Sequence, residues 1–332
     1  MATPLVSIIV SAYNRPELLA LSIASVCNQT YGALEIIVQD DSTNNECAKV
    51  IQAAGDSRVR YTHNSPALGT AANLLAGYRK ATGKYFSTLN DDDLYRLDYI
   101  ERMVEKLETD ANLSVAFSDQ FIIDGNGASL TERTEQNTRD WHRETLRDGI
   151  IHTAYEIAIL HKSIPAMQAV FRRDVIDFND FPDEVEAGYD FWLTYLAVRN
   201  GNPIYYTPDR LTYYRSHEMS QTAALSNPSK RLAFARSSQF MHTRFLADSR
   251  LASIHAQLIV KLAQDYRTAG FALLRLKQRG AALNEFMRSL RTRPTWRAVA
   301  GLILSVTPAV ILKRALQARN GDDTARIITR PD

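Results

Sequence analysis

Through the first third of the chain the apolar residues come in short solid runs instead of alternating with polar ones. "LVSIIVSAY" (5–13) and "LEIIVQDDS" (34–42) are β-branched runs of strand length with no wet face. Such runs suit strands buried on both sides of a parallel sheet. Between them Asn14 stands where a helix cap belongs and Pro16 falls in the first turn, with Leu18, Leu19, Ser22, Ile23 and Val26 at helical spacing. Strand, helix, strand implies a right-handed crossover and a parallel pair. The pattern then predicts a helix over 46–54, a strand at 58–62 and a helix over 70–81 closed by Gly83. A strand at 84–89, a helix over 97–108 and a strand at 114–119 follow. "FIIDGNGAS" comes next, and its Asp-Gly and Asn-Gly pairs mark a hairpin turn. Alternating βα units followed by antiparallel pieces give an α/β fold, a mixed central sheet flanked by helices. After residue 225 the pattern is wholly helical, which divides the chain into an α/β domain (1–225) and a helical C-terminal region (226–332).

Composition narrows the function classes. The 332 residues are 45% hydrophobic and 23% charged, as in an ordinary globular protein with one large domain and an appendage. A net charge of +2 provides no overall field for nucleic acid. Cys27 and Cys47 lack metal-ligand spacing and read as reduced thiols of a cytoplasmic protein. "MATPLVSIIVSAYNRPE" has no basic stretch before its apolar run, so it does not read as a signal peptide. "RGAALNEFMRSLRTRP" resembles the second helix of a tetratricopeptide repeat, but one copy builds no solenoid. "WRAVAGLILSVTPAVILKRALQAR" (296–319) has fifteen uncharged residues, Ala298 to Leu312, interrupted by Pro308. Arg291, Arg293 and Arg297 flank one side, and Lys313, Arg314 and Arg319 the other. It is too short to span a bilayer. Two readings stand: a helix packed on the α/β domain, or one lying peripherally at the inner face of the membrane.

"STLNDDDLYRLD" (87–98) sets Asp91, Asp92 and Asp93 side by side. A solvated turn accommodates one acidic run. In open α/β sheets, however, ligands bind at the carboxyl ends of the strands. Here three such ends carry Tyr13, Asp40, Asp41, Asn90, Asp91 and Asp92. That concentration points to a ligand that brings positive charge.

Taken in order, "VSIIVSAYNRPELLALSIASVCNQTY", "LEIIVQDDST" and "LGTAANLLAGYRKATGKYFSTLNDDDLYRLD" resemble the motifs of family 2 glycosyltransferases of the GT-A fold, over roughly residues 4–222. The second motif lacks the family's usual glycine, and Ser42 follows directly. The resemblance implies a nucleotide-binding group of Tyr13, Asp40 and Asp41. Asp41 would accept a hydrogen from a uracil-type imide, a choice that suits an acceptor-only carboxylate. The family's Asp-x-Asp falls on Asn90, Asp91 and Asp92, with Asn in the first place. Asp92 takes the metal position, Asp91 lies near the ribose or metal, and Asp93 corresponds to a helix N-cap. Hard oxygen ligands beside a diphosphate imply Mn²⁺ or Mg²⁺.

"EVEAGYDFWLTYLAVRNG" (184–201) resembles the family's acidic helix, with Ala187 and Gly188 in place of its usual Glu-Asp pair. Asp190 and Glu186 remain as candidate general bases, with Glu184 behind them. At a spacing of four the first two would share one helical face. "LTYYRSHEMSQT" (211–222) resembles the segment that closes such domains. It implies that Arg215 contacts the diphosphate, and His217 either the diphosphate or the metal.

The implied function is inverting, metal-dependent hexosyl transfer from a nucleotide-sugar donor, UDP-sugar first, to a glycan or lipid-linked glycan acceptor in bacterial surface polysaccharide synthesis. Its alternative is a catalytically degenerate protein that binds nucleotide sugar or serves as a scaffold. Sugar nucleotidyl transfer needs a glycine-rich basic loop after the first strand, and "SAYNRPE" has no glycine. The stretch 119–170 carries no diagnostic motif. Within it "TRDWHRETLRDGI" is either an acceptor wall or an amphipathic helix.

Overall fold

The structure, a computed structural model, describes residues 3–216 and 226–307, which fall into two compact units that part at residues 217 and 218.

The first unit runs β1 (Val6–Ala12), α1 (Pro16–Cys27), β2 (Leu34–Asp40), α2 (Glu46–Ala54), β3 (Val59–His63), α3 (Thr70–Lys80) and β4 (Tyr85–Asn90). It continues β5 (Leu94–Tyr95), α4 (Tyr99–Leu107), β6 (Val115–Ile123), α5 (Thr131–Asp140), β7 (Gly149–Ile151), β8 (Ala169–Arg172), α6 (Tyr189–Val198) and β9 (Ile204–Arg215). Nine strands form one sheet in the order β3-β2-β1-β4-β8-β6-β9-β5, with β7 also on β9. β3, β2, β1 and β4 are parallel, whereas β8 runs antiparallel to both β4 and β6. The expected mixed sheet is present. Val6, Ile8 and Val10 of β1 pack with Ile36 and Val38 of β2 under Leu19, Ile23 and Val26 of α1. β1 is buried on both faces, as its unalternating pattern predicts.

Most element bounds lie within a residue or two of those expected, and α2 coincides with 46–54. Three departures matter. Asn14 does not cap α1: it adopts a left-handed φ of 53° and its Oδ1 accepts from the Thr43 backbone N–H at 2.9 Å. Asparagine tolerates that conformation because its short polar side chain bonds locally. Gly83 does not close α3 but lies where the chain meets β1, and a Cβ there would sit 2.7 Å from the carbonyl oxygens of Leu5 and Tyr85. β6 extends to Ile123 because it pairs in parallel with β9, through a register shift around Asp119.

That irregularity turns Asp119 toward Arg143, and the two make a buried ion pair at 2.9 Å. Thr138 also donates to Asp119, at 2.6 Å. The 138–150 stretch is therefore tied to the sheet instead of forming one continuous amphipathic helix.

The second unit is helical, as expected: α7 (Pro228–Ala247), α8 (His255–Arg275), α9 (Arg279–Thr292) and α10 (Trp296–Val306). Phe286 of α9 lies against Gly270 of α8 and Gly301 of α10, where an added Cβ would come within 2.8 and 2.2 Å of its ring. The Thr295 side chain accepts from the Ala298 N–H and starts α10. α10 packs on α8 and α9 through Ala298, Gly301 and Ser305. Among the described residues no helix is long and apolar enough to cross a membrane. The part of 296–319 beyond residue 307 lies outside the described residues.

Candidate active site

The carboxyl ends of β1, β2 and β4 open side by side because the three strands are parallel neighbours. At the end of β1 the Tyr13 ring is 54% exposed while its backbone N–H donates to Asp91 Oδ2 at 2.9 Å. The next turn places Arg15 over the acidic loop. Its Nη1 donates to Asp92 Oδ2 at 2.5 Å, its Nη2 pairs with Asp91 Oδ1, and its Nε reaches Asp91 Oδ2 at 3.3 Å. The cation that the sequence of aspartates calls for is thus supplied, in part, by the chain itself.

The three aspartates are not equivalent. Asp91 is buried, and that burial pushes its carboxyl up to about 6 against the pull of Arg15. Asp93 is fully enclosed, and burial, with Asp92 beside it, holds its carboxyl well above the ordinary range. Its oxygens accept from the Arg215 N–H at 2.9 Å and from Asn90 Nδ2 at 3.1 Å. Asp93 is therefore not a helix cap: α4 begins after Asp98. Asn90 serves as donor to Asp93 and acceptor for Ser11 Oγ, which a carboxylate in its place could not do. Beneath the loop, Ser22 of α1 donates to the carbonyls of Asp93 at 2.6 Å and Asn90 at 3.1 Å. Ser22, expected as one of the packing positions of α1, is a polar clamp.

Arg215 stands behind this loop and does not face the opening. It is buried, with Nε donating to the Asp92 carbonyl at 2.9 Å and Nη1 to the carbonyls of Asp124 and Gly125, both at 3.1 Å. Nε and Nη1, which the expected contact with a diphosphate would draw on, are bonded to these carbonyls and give Arg215 a structural role in the loop. His217 lies outside the described residues.

At the end of β2 the paired carboxylates divide. Asp40 is completely buried, accepting from the Ser42 N–H at 2.8 Å and the Tyr61 hydroxyl at 2.6 Å. Both oxygens are engaged inside the fold, so Asp40 is removed from the expected nucleotide-binding group. Asp41 faces the 64–69 loop. Asn64 Nδ2 donates to its Oδ1 at 2.8 Å, and the N–H groups of Leu68 and Gly69 donate to its Oδ2 at 3.2 and 2.9 Å.

Glu186 takes the next two backbone donors. Its Oε1 accepts from Thr70 N–H at 2.9 Å and its Oε2 from Ala71 N–H at 3.3 Å. Two carboxylates from distant parts of the chain thus cap the start of α3, which otherwise lacks a side-chain cap of its own. Glu186 belongs to a 3-10 turn, Asp183–Gly188, and Asp190 to the first turn of α6. The expected shared helical face does not form, because the helix starts between them.

Asp190 is half-buried, and Oδ1 accepts from its own Phe191 N–H at 2.8 Å. Burial raises its carboxyl, and the Lys162 ammonium, which lies 4.1 Å from the Phe191 ring centre, opposes that shift. Tyr189 is buried, and burial, with the Asp190 charge next, raises its hydroxyl well above the ordinary range. Sequence reading passed over Arg15, Ser22 and Tyr189. Arg15, two positions after Tyr13, was the one with a signal: a lone cation at a strand end next to acids.

Among the described residues no three His, Cys, Asp or Glu side chains converge as a metal cage. Asp91 and Asp92 do fit a divalent cation in another way. They are adjacent hard-oxygen donors already gathered around one positive group, and they are the residues that would hold such an ion.

Comparisons with known proteins bear on the family and the fold. Residues 7–177 match the sequence model described as Glycosyl transferase family 2. An uncharacterized glycosyltransferase of Haemophilus influenzae is 30% identical over 228 residues, 68% of this chain and 69% of that protein. The Escherichia coli protein WfgD, a UDP-Glc:alpha-D-GlcNAc-diphosphoundecaprenol beta-1,3-glucosyltransferase, is 32% identical over 197 residues, 59% of this chain and 71% of its own. Among solved structures, S. aureus TarS 1–349 in complex with UDP-GlcNAc superposes with a TM-score of 0.67 at 17% identity, over 95% of this chain and 92% of that one. The mannosyltransferase PcManGT from Pyrobaculum calidifontis, in complex with GDP-Man and Mn²⁺, gives a TM-score of 0.58 at 15% identity, over 99% and 84%.

Proposed function

The chain belongs to glycosyl transferase family 2, and we propose that it transfers a hexose from a UDP-sugar to a hydroxyl of a lipid-diphosphate-linked glycan, with inversion, in the assembly of a surface polysaccharide. One observation carries the reading. The exposed Tyr13 ring, the Asp41 carboxylate and the Arg15-bridged Asp91–Asp92 pair occupy three neighbouring strand ends. Across the sheet, Asp41 after β2, Tyr13 after β1 and the Asp91–Asp92 pair after β4 suit a base held by the first two and a diphosphate at the third. WfgD, named for a UDP-glucose donor and a diphosphoundecaprenol-linked acceptor, suggests the two substrate classes.

In this reading Tyr13 stacks on the base and Asp41 accepts its imide N–H. Asp92, with Asp91, would hold the Mn²⁺ or Mg²⁺ ion, which when bound supplies Lewis-acid charge for the departing diphosphate. Arg15 keeps the two carboxylates compatible before the donor arrives. Asp190 accepts the acceptor's hydroxyl proton as that oxygen attacks the anomeric carbon and the bond to the diphosphate breaks. Its raised proton affinity suits a base. Glu186 serves in this reading as a cap of α3, and Asp190 is assigned alone as the base. Asn90, holding Asp93 in place, gives no reason to regard the site as degenerate.

The test is nucleoside diphosphate release from UDP-, GDP- and dTDP-sugars with Mn²⁺, with and without a GlcNAc-diphosphate-lipid acceptor. Acceptor-dependent turnover of a UDP-sugar with formation of a disaccharide-lipid is expected. Donor binding without transfer to any glycan acceptor would overturn the proposal in favour of a binding protein.

A further inference from the structure

The second unit carries a feature that the transfer reaction does not use. One face of α10 is closed against α8 and α9 through Ala298, Gly301 and Ser305. The opposite face presents Trp296, Val299, Ile303 and Val306, exposed to 62, 45, 55 and 62%. Their spacing of three, four and three residues puts them in one stripe along the helix. Large apolar side chains exposed singly need no explanation, but four in a line with a tryptophan at one end do.

Charge says what covers the stripe. From Phe286 to Gly321 the sequence has no Asp or Glu, yet holds Arg288, Arg291, Arg293, Arg297, Lys313, Arg314 and Arg319. The chain as a whole is only +2, so this stretch of seven cations is balanced by acids elsewhere. Arg291 and Arg293 are exposed just before α10, and the Arg297 guanidinium lies 5.4 Å from the Trp296 ring centre. A protein partner would need an acidic rim around an apolar groove. An anionic bilayer offers both features over any area, and tryptophan beside arginine suits the headgroup level.

We propose that α10 is an interfacial helix that docks the protein on an anionic membrane surface, with the Trp296–Val306 stripe among the acyl chains and the arginines at the headgroups. The inference stands on the second unit alone and does not depend on the donor or acceptor.

Vesicle flotation of the full chain tests it, with phosphatidylcholine alone and with phosphatidylcholine mixed with phosphatidylglycerol. The wild type is expected to float with the anionic vesicles and far less with the neutral ones, and rising salt should weaken the binding. Trp296→Ser combined with Ile303→Ser should lower the partition coefficient about tenfold or more. Arg291→Gln with Arg293→Gln should cost about fivefold per charge. That arginine pair is exposed and leaves the helix packing alone, so it decides the matter if the apolar pair unfolds. Flotation absent in the wild type, or unchanged in the folded variants, overturns the proposal. So does a dimer in size exclusion that the apolar variant dissociates, since a second copy would then cover the stripe. Binding of UDP, measured alongside, should be the same in every variant, which separates this result from the fate of the proposed reaction.

Discussion

Arg15 and Asp92 face each other across the mouth of the sheet, Nη1 to Oδ2 at 2.5 Å, with Asp91 held by the same guanidinium. Without it Asp91 would keep the Tyr13 N–H, but the two adjacent carboxylates would lose the cation they share. Arg15→Ala is expected to lower the metal-free stability by about 1–2 kcal/mol, a charged hydrogen-bonded group discounted for partial exposure. Thermal unfolding with and without Mn²⁺ checks it: the divalent cation should stabilise the variant more than the wild type. Equal stabilisation of both would show that the cation does not approach this pair.

Asp92→Ala should remove metal-dependent turnover and leave the fold intact, because its carboxylate points at Arg15 and not into the core. Turnover near the wild-type level at saturating Mn²⁺ would sink the metal assignment, and circular dichroism controls for folding.

For Asp41 the gentler change is to Asn, whose one oxygen can keep the Leu68 and Gly69 N–H groups while its amide nitrogen meets Asn64, whereas Ala would release all three donors. Asp41→Asn should weaken UDP binding by about tenfold or more, the loss of one charged hydrogen bond. Calorimetry with UDP reads it, and unchanged affinity would remove Asp41 from the nucleotide site.

Asp190→Asn is expected to reduce kcat by about 10²-fold with donor affinity nearly unchanged. The base must be ionised to work, and burial raises its proton affinity, so activity should fall as pH is lowered through a value above the usual aspartate range. That acid limb should vanish in the variant. An identical limb in both proteins would place the titrating group elsewhere.

Gly301→Ala should destabilise the helical unit by about 1–3 kcal/mol, because the new Cβ meets a Phe286 ring already confined by Gly270. Denaturant unfolding reports it, and UDP affinity should not change.

The order of elements and the mixed sheet were legible in the sequence because burial on both faces leaves unalternating apolar runs. Which acid does what was not. Asp40 and Asp41 are neighbours in sequence, but one turns inward to Tyr61 and the other outward to the 64–69 loop. Alternation along a strand predicts that the two differ, not which partners they find. Glu186 and Asp190 have helical spacing, but the residues between them form a 3-10 turn and a helix start. Arg215 has a fixed place in a motif, yet its hydrogen bonds depend on carbonyls in two other loops, and no local pattern encodes those.

The start of α3 links parts of the chain that lie far apart in sequence. Four consecutive N–H groups, Leu68 to Ala71, are shared two and two between Asp41 and Glu186. Any change at one carboxylate alters the backbone that the other must grip. Substitutions at positions 41 and 186 should therefore be non-additive, although they lie 145 positions apart.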